Sequence, residues 1–464
     1  MSSWLSRSGS HPREQPGHRA DDRPPSLFAV RSSDGAQFAL VPDDFANIST
    51  LDELRFNLLS PLLAIPPDCL ILMNEEGSPL NRDEAVQHLA LLAHAAVTPS
   101  ASGVLPSPGG AASGSLARSR RGTERRIYVF DRDHLDAEPD EVASALAITE
   151  EHVLTEPPLN PEDPLTSHLS LSEHNLTTLR ALISSIELQH ASLALALSNL
   201  HRVNTGTASS FALFLEGAAP TLERYEALLD GWEQAMDAVG KVGVVAGLLV
   251  RHSGSASVGG HGREGSTGSV ALRGAGEEKQ RVLGDYVSRD KMLAVRDGCA
   301  KVLAELKMRT ESLQQTLDEV VGATQVVQAD LEATSNDLQD LEACEHDAMQ
   351  GHLRIEELVQ AGEHMTDPIL LSQCFEELTV CDAEHRDRIR FLVERKNAMT
   401  RYLLQEMQKI STLQSDIAAM PAELSVLDHD LRTRTDNFKH LARLEDLIPA
   451  YVATVAEVVR RREY

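Results

Sequence analysis

The chain has 464 residues, with 43 Lys and Arg against 70 Asp and Glu, a formal net charge of −27 and only 4% aromatic side chains. A body this negative repels phosphate backbones and anionic headgroups, which argues against nucleic-acid binding. So few rings argue against deep enzyme cores and favour long helices that bury narrow apolar seams.

Residues 1–26 are rich in Ser, Pro, Arg and Asp, hold no apolar signal core, and are expected to be disordered. The character then changes. Leu27-Phe-Ala-Val-Arg31 and Ala36-Gln-Phe-Ala-Leu-Val41 are short strand candidates, and Ser33-Asp34-Gly35 between them predicts a hairpin turn. Ser49 or Thr50 can cap a helix that runs on through Leu51, Leu54, Leu58 and Leu59. Ile65-Pro66-Pro67-Asp68 must be extended, because each proline disfavours helix in the residue before it. Cys69–Met73 reads as a third strand ending at the turn Glu75-Glu76-Gly77, and Asn81–Ala96 as a second helix. A low-complexity insert follows at 97–126, whose basic end, Arg118 to Arg126, reads as a solvated tether. Ile127-Tyr-Val-Phe-Asp131 then returns as a strand. With the insert looped out, residues 27–131 form a small α+β unit in the order strand, strand, helix, strand, helix, strand.

This segment resembles ubiquitin-like domains, on Ile65-Pro66-Pro67-Asp68 before an apolar strand and a Gly-containing turn. The chain continues through Arg132-Asp133 without a terminal Gly-Gly, so the resemblance implies a fixed head and not a conjugated tag.

Residues 132–167 are acidic and proline-bearing, and read as a linker with helical turns at Glu141 to Glu150. From His168 the apolar period is helical. Leu176, Leu179, Ile183, Ile186, Leu193, Leu197 and Leu200 alternate three and four apart, with His190 as the polar intruder; Leu222, Tyr225, Leu229, Trp232, Met236 and Val239 repeat the pattern. Tyr225 and Trp232 read as seam anchors, or as part of a groove for a partner helix. These segments span 168–250, and a Gly/Ser linker at 251–277 separates them from coiled-coil helices over 278–464. The third region carries Leu303, Leu306, Leu313, Leu317, Val320, Val327, Leu331, Leu338 and Leu341; the fourth keeps one register from Ile389 to Leu441, with Lys396, Glu406 and Arg434 as exceptions. A seam held that long implies winding against a partner helix, within the chain or on a second copy. Polar seam residues such as Lys396 and Glu406 set register and partner number. Pro421 predicts a kink near Met420, not an end, because the heptad resumes in phase. Leu403, Ile410, Leu413, Ile417, Leu424, Leu427 and Leu431 are the candidate self-association seam. The fold class expected is mainly α: a small ubiquitin-like β-grasp (α+β) domain followed by long coiled-coil helices.

Catalytic and metal chemistry finds no support in the residues. The Gly-rich stretch Gly254 to Gly276 lacks Gly-Lys-Ser/Thr and any leading apolar strand. Glu342, Cys344, Glu345, His346 and Asp347 spread around a helix instead of converging. Cys69, Cys299, Cys344, Cys374 and Cys381 form no CxxC pair, so a reducing compartment is expected and no disulfide framework; Cys374 and Cys381 share a helix face as small apolar residues. No cofactor, metal or catalytic residue is expected. The longest apolar stretch, Val242 to Val250, is about half of a membrane span.

The ending Leu447-Ile448-Pro449-Ala450-Tyr451 with Glu457-Val458-Val459-Arg460-Arg461-Arg462, the strand Ile127-Tyr-Val-Phe-Asp-Arg132 and the linker Glu156-Pro157-Pro158-Leu159 together resemble the N-terminal part of fungal autophagy-related protein 11, whose helical region is similar to autophagy-related protein 17. The resemblance covers about 27–464. It implies a non-enzymatic scaffold of selective autophagy that self-associates, expected as a homodimer. Such a scaffold gathers the autophagy-initiating serine/threonine kinase and other autophagy proteins at the phagophore assembly site. The chain would be cytoplasmic and peripheral at that site and at the vacuole membrane. Members of that family continue well beyond the last residue here and are expected to engage cargo receptors through that further region, so receptor binding is expected only if such a region exists and is otherwise absent. A coiled-coil tether or transport adaptor unrelated to autophagy is the alternative, and a ubiquitin-like head that regulates a ubiquitin-system enzyme is a third reading.

Overall fold

The computed structural model describes residues 27–95, 125–154, 164–245, 281–364 and 366–463. The N-terminal segment 1–26, nearly all of the insert 97–126, the prolines at 157, 158 and 161, and the Gly/Ser segment 251–277 lie outside the described residues. The chain divides into two compact units, Met1–Leu200 with Val326–Thr412, and His201–Gln325 with Leu413–Tyr464.

The first unit begins with the ubiquitin-like head. Strands β1 (Leu27–Arg31), β2 (Ala36–Leu40), β3 (Leu70–Met73) and β4 (Arg125–Asp131) form one sheet in the order β2-β1-β4-β3. The β1–β2 and β3–β4 pairs are antiparallel and β1–β4 is parallel. Thr50 and Glu53 cap each other's backbone at the start of α1 (Leu51–Glu53), which continues through a π-helical turn into α2 (Ser60–Leu63). Helix α3 (Asp83–Ala95) completes the head. Alternation decides the faces. Leu27, Ala29, Leu70, Leu72, Ile127 and Val129 point at the helices and join Leu54, Leu59, Leu63 and Val86 in one core.

In the segment expected as a linker with helical turns at Glu141 to Glu150, the described residues 132–154 form three short helices, α4 (Arg132–Asp136), α5 (Pro139–Leu146) and α6 (Glu150–Val153). The reason is local. Pro139 stands in the first turn of α5, where a missing N–H costs nothing, and Ile148, Val153 and Leu154 have an apolar cluster to pack on. Asn397 fixes the crossing by bonding both sides of Ile148, accepting from its N–H at 2.9 Å and donating to its carbonyl at 3.0 Å.

Four long helices follow: α7 (Pro164–Lys241), α8 (Arg289–Glu363), α9 (Pro368–Thr433) and α10 (Thr435–Glu463). The two seams expected before residue 250 belong to one helix, which carries Pro220 inside. Helix α9 likewise continues through Pro421; the break comes at Arg434, whose N–H turns back to Asp430 O at 2.9 Å. Asp367 accepts from the N–H of Ile369 at 3.0 Å to start α9 beside Pro368.

The heptad residues are where the period puts them, and the chain's own helices receive them. In the first unit Leu176, Leu179, Ile183 and Ile186 pack with Leu341, Ile389 and Leu392. Cys374 and Cys381 are buried with Ile355, Val359 and Leu378. In the second unit Trp232, Met236 and Val239 share a core with Leu303, Leu306, Leu424, Leu427 and Leu441. There Tyr225 stacks on Phe438 with ring centroids 3.8 Å apart, its hydroxyl 2.7 Å from Thr435 Oγ1. The same unit ends α7 in a small bridge that pairs Gly243 with Val282.

Tyr225→Phe keeps the stack and loses only the hydroxyl bond, so it should lower stability by about 1 kcal/mol. Phe438→Ala empties the ring's place and should cost about 3–5 kcal/mol. Urea unfolding followed by circular dichroism checks both, and equal losses would contradict the stacking account.

Candidate functional site

The head is seated on the helical body of the first unit. The second face of its sheet carries Val30, Met73, Tyr128 and Phe130, all buried, although the head's own helices lie on the other face. The turns that flank this face meet α7 directly. Gly35, at φ +68°, lies so close that a Cβ there would fall 2.1 Å from Ser185 O. Gly77, at φ +71°, would bring a Cβ within 2.8 Å of Leu195 O. Only glycine meets both demands, a left-handed backbone and no side chain.

Polar bonds fix the first turn. Gln189 Nε2 donates to Ser33 O at 2.8 Å and to Thr400 Oγ1 at 2.9 Å; Ser185 Oγ donates to Asp34 O at 2.6 Å. Lys396, on α9, donates its ammonium to the same Asp34 carbonyl at 2.9 Å. Burial holds its pKa below the usual lysine range, opposed by the Asp34 charge and aided by Arg31. The Asp34 carboxylate is taken by Arg31 Nε at 3.0 Å, and Arg31 Nη1 closes the end of α2 at Leu63 O, 3.0 Å away.

The seven residues of the candidate self-association seam are placed by the same packing. Leu403, Ile410, Ile417, Leu424, Leu427 and Leu431 are buried within the chain, and Leu413 is half-buried. Lys396 and Glu406 are buried too, Lys396 on the head and Glu406 against Lys409 at 2.7 Å. Tyr225 and Trp232 serve the second unit's core, with the Arg296 guanidinium 4.9 Å over the indole.

One group was not read from the sequence. A polar layer lies between the two apolar clusters of the first unit's long helices, with His168 and Ser172 from α7, His352 from α8, and Asp382 and His385 from α9. Asp382 holds His168 Nδ1, Ser172 Oγ lies 2.9 Å from His352 Nδ1, and His385 Nε2 lies 3.0 Å from Ala348 O. Gly351 makes room for the His385 ring, since a Cβ there would sit 2.8 Å from Nε2. Burial, more than the Ala348 bond can offset, holds His385 below the usual histidine range; Arg388 and His352 push the same way and Asp382 opposes. Burial also raises Asp382, against His168, His385 and Arg386.

Among the described residues, Cys69, Asp131 and Asp133 bring three ligand atoms within 4.8 Å of one another. The Cys69 thiol donates to Asp133 Oδ1 at 3.1 Å and is pushed up to about 11, by that bond first, then by burial and the two carboxylates. It is held as a thiol, and Asp131 is engaged in capping α4. The acidic run near Cys344 does not converge: Glu345 pairs with Arg180 at 3.0 Å, while Cys344 packs on the core.

Residues 160–464 match the family model described as Autophagy protein ATG17-like domain, well over half of the chain. The chain belongs to the ATG17-like autophagy protein family. The match supports an autophagy-related scaffold role and interaction with other autophagy proteins. No curated protein matches the chain. The ATG17-like body begins just before α7, and its first part is the surface that holds the head.

Gly35→Ala should release the turn from Ser185, and hydrogen exchange at the amides of Asp34–Ala36 should rise well above wild type while the second unit is unchanged. A second expectation concerns pH. The unfolded chain takes up a proton at each histidine near pH 6.5, whereas folded His385 and His190 resist it. Protons then favour the unfolded chain, so stability falls as pH drops from about 6.5 toward the folded pKa values. Asp382 acts oppositely, favouring the fold at lower pH and losing that effect as pH rises through its raised pKa. Urea midpoints at pH 7.5 and 5.5 should differ less in His190→Leu than in wild type.

Proposed function

We propose that the chain is a scaffold of selective autophagy of the fungal autophagy-related protein 11 type. The observation that carries this reading is an ATG17-like body with a ubiquitin-like head docked on its first part, and with Ile148, beyond the head, bonded to the same body. The scaffold recruits the autophagy-initiating serine/threonine kinase, membrane components and cargo to the phagophore assembly site. It acts from the cytoplasm, peripherally at that site and at the vacuole membrane. Several weak sites on one body raise the effective concentration of the partners they hold. Copies pair as homodimers; a seam through Leu403 to Leu431 would need the chain's own helices to give up contacts that already bury six of its seven residues.

The test is affinity purification of the full chain from its native cell. The autophagy-initiating kinase should be enriched with wild type and retained with Gly35→Ala if the ATG17-like body alone binds it. Recovery of transport or cytoskeletal partners without autophagy proteins would overturn the reading.

A further inference from the structure

A hollow of about 240 Å³ opens on the first unit where α7, α8 and α9 meet. Ile186, Leu338, Leu341 and Met399 make it apolar, and His190 and Tyr402 stand among them. It is smaller than the roughly 300–1,000 Å³ of sites that take a whole small molecule. It fits one large side chain. The Tyr402 hydroxyl is buried without a partner at bonding geometry, and the adjacent Thr334 gives its own hydrogen to Leu331 O at 2.8 Å. A side chain with a polar tip therefore has a group to meet.

The α8 side of the hollow carries one sign of charge, while Arg395 of α9 stands on the rim. Helix α8 has no Lys or Arg between Arg309 and Arg354. In the first unit this stretch exposes Asp330, Glu332, Asp337, Asp340, Glu342 and Asp347. Among the described residues, only Asp337 of these six forms an ion pair, with Arg395 at 3.3 Å on the rim. The negative field reaches inside. Tyr402 is pushed up to about 12, by burial first and then by the charges of Glu406 and Asp330.

Charge selects the occupant. A second copy brings the same carboxylates and a net charge of −27, so like charges would oppose pairing here. An anionic membrane is repelled for the same reason. We propose that the hollow seats one large apolar side chain of a basic amphipathic helix from a partner protein, with the α8 carboxylates holding that helix by its Lys and Arg. Such a helix supplies both parts, a single anchor and a charged flank. The inference names a partner chemistry and rests on the scaffold reading only for there being a partner.

The probe is a labelled 18-residue helical peptide of Leu and Lys with one central Trp, titrated with the full chain by fluorescence anisotropy. Saturable one-to-one binding is expected, weakening as salt is raised. Replacing the peptide's Trp by Ala, filling the hollow with Ala398→Phe, or reversing charge with Asp330→Lys and Asp340→Lys together should each weaken binding roughly tenfold. A peptide with Glu in place of Lys should not bind. The proposal is overturned if no saturable binding occurs, if the Trp-free peptide binds equally, or if the acidic peptide binds as well. Self-association of the chain that Ala398→Phe abolishes would also overturn it, since the occupant would then be a second copy. If Ala398→Phe fails to fold, the Trp-free peptide decides. The outcome is independent of whether the kinase co-purifies.

Discussion

The first unit depends on a stretch of α7 that is packed on almost every side. From Leu182 to Leu200 only Ser198 is exposed. Leu193, Leu197 and Leu200 belong to the seam, while Gln189, Ser192 and Asn199 are buried at other angles around the cylinder. An ordinary surface helix keeps one face for water. This one gives a second face to the head, which is why it is small and apolar nearly all round. The same property makes α7 long and apolar enough, by length and composition, to cross a membrane. Half of that apolar window is buried within the chain.

Two glycines let the head approach. Backbone turns at Gly35 and Gly77 reach α7 where any side chain would collide with a helix carbonyl. The contact therefore uses main-chain atoms of the head and short polar side chains of the helix. Lys396 adds the costliest element, an ammonium buried on a carbonyl and, among the described residues, without a carboxylate in ion-pair range. A buried charge is tolerated only where fixed dipoles replace its water. Here the Asp34 carbonyl, which also accepts from Ser185, provides that dipole. A seam position that the period marks as a polar fault is the anchor of another domain.

Elements whose cause is local were legible in the sequence. The order of strands and helices in the head, the Gly35 and Gly77 turns, and the seam residues of the long helices follow from turn chemistry and period. The segment 132–167 reads as a linker with helical turns at Glu141 to Glu150, and its described part, 132–154, carries three short helices, one of them started by Pro139. The two seams on either side of Pro220 lie on the single helix α7. What no period shows is which face a helix turns toward a distant segment. Ser185 and Gln189 look like ordinary polar positions until the head, some 150 residues earlier, lies on them. The layer of His168, His352 and His385 was equally hidden, because its members come from three helices far apart in the chain.

That layer also explains how three long helices keep one alignment. Apolar seams alone tolerate sliding by a heptad, since each leucine meets another of similar shape. A buried histidine or aspartate meets its partner in one register only, and any slip strands a desolvated polar group at a cost of about 1–3 kcal/mol. The clusters around Leu392 and around Leu378 lie on either side of this layer in sequence, so each is pinned by the same set of bonds. With its seams filled from within and its alignment fixed by polar pairs, the unit turns outward, along α8 from Asp330 to Asp347, a row of exposed carboxylates. For a scaffold whose apolar faces are already occupied, recognition has to begin with charge and end in whatever hollows the packing leaves open.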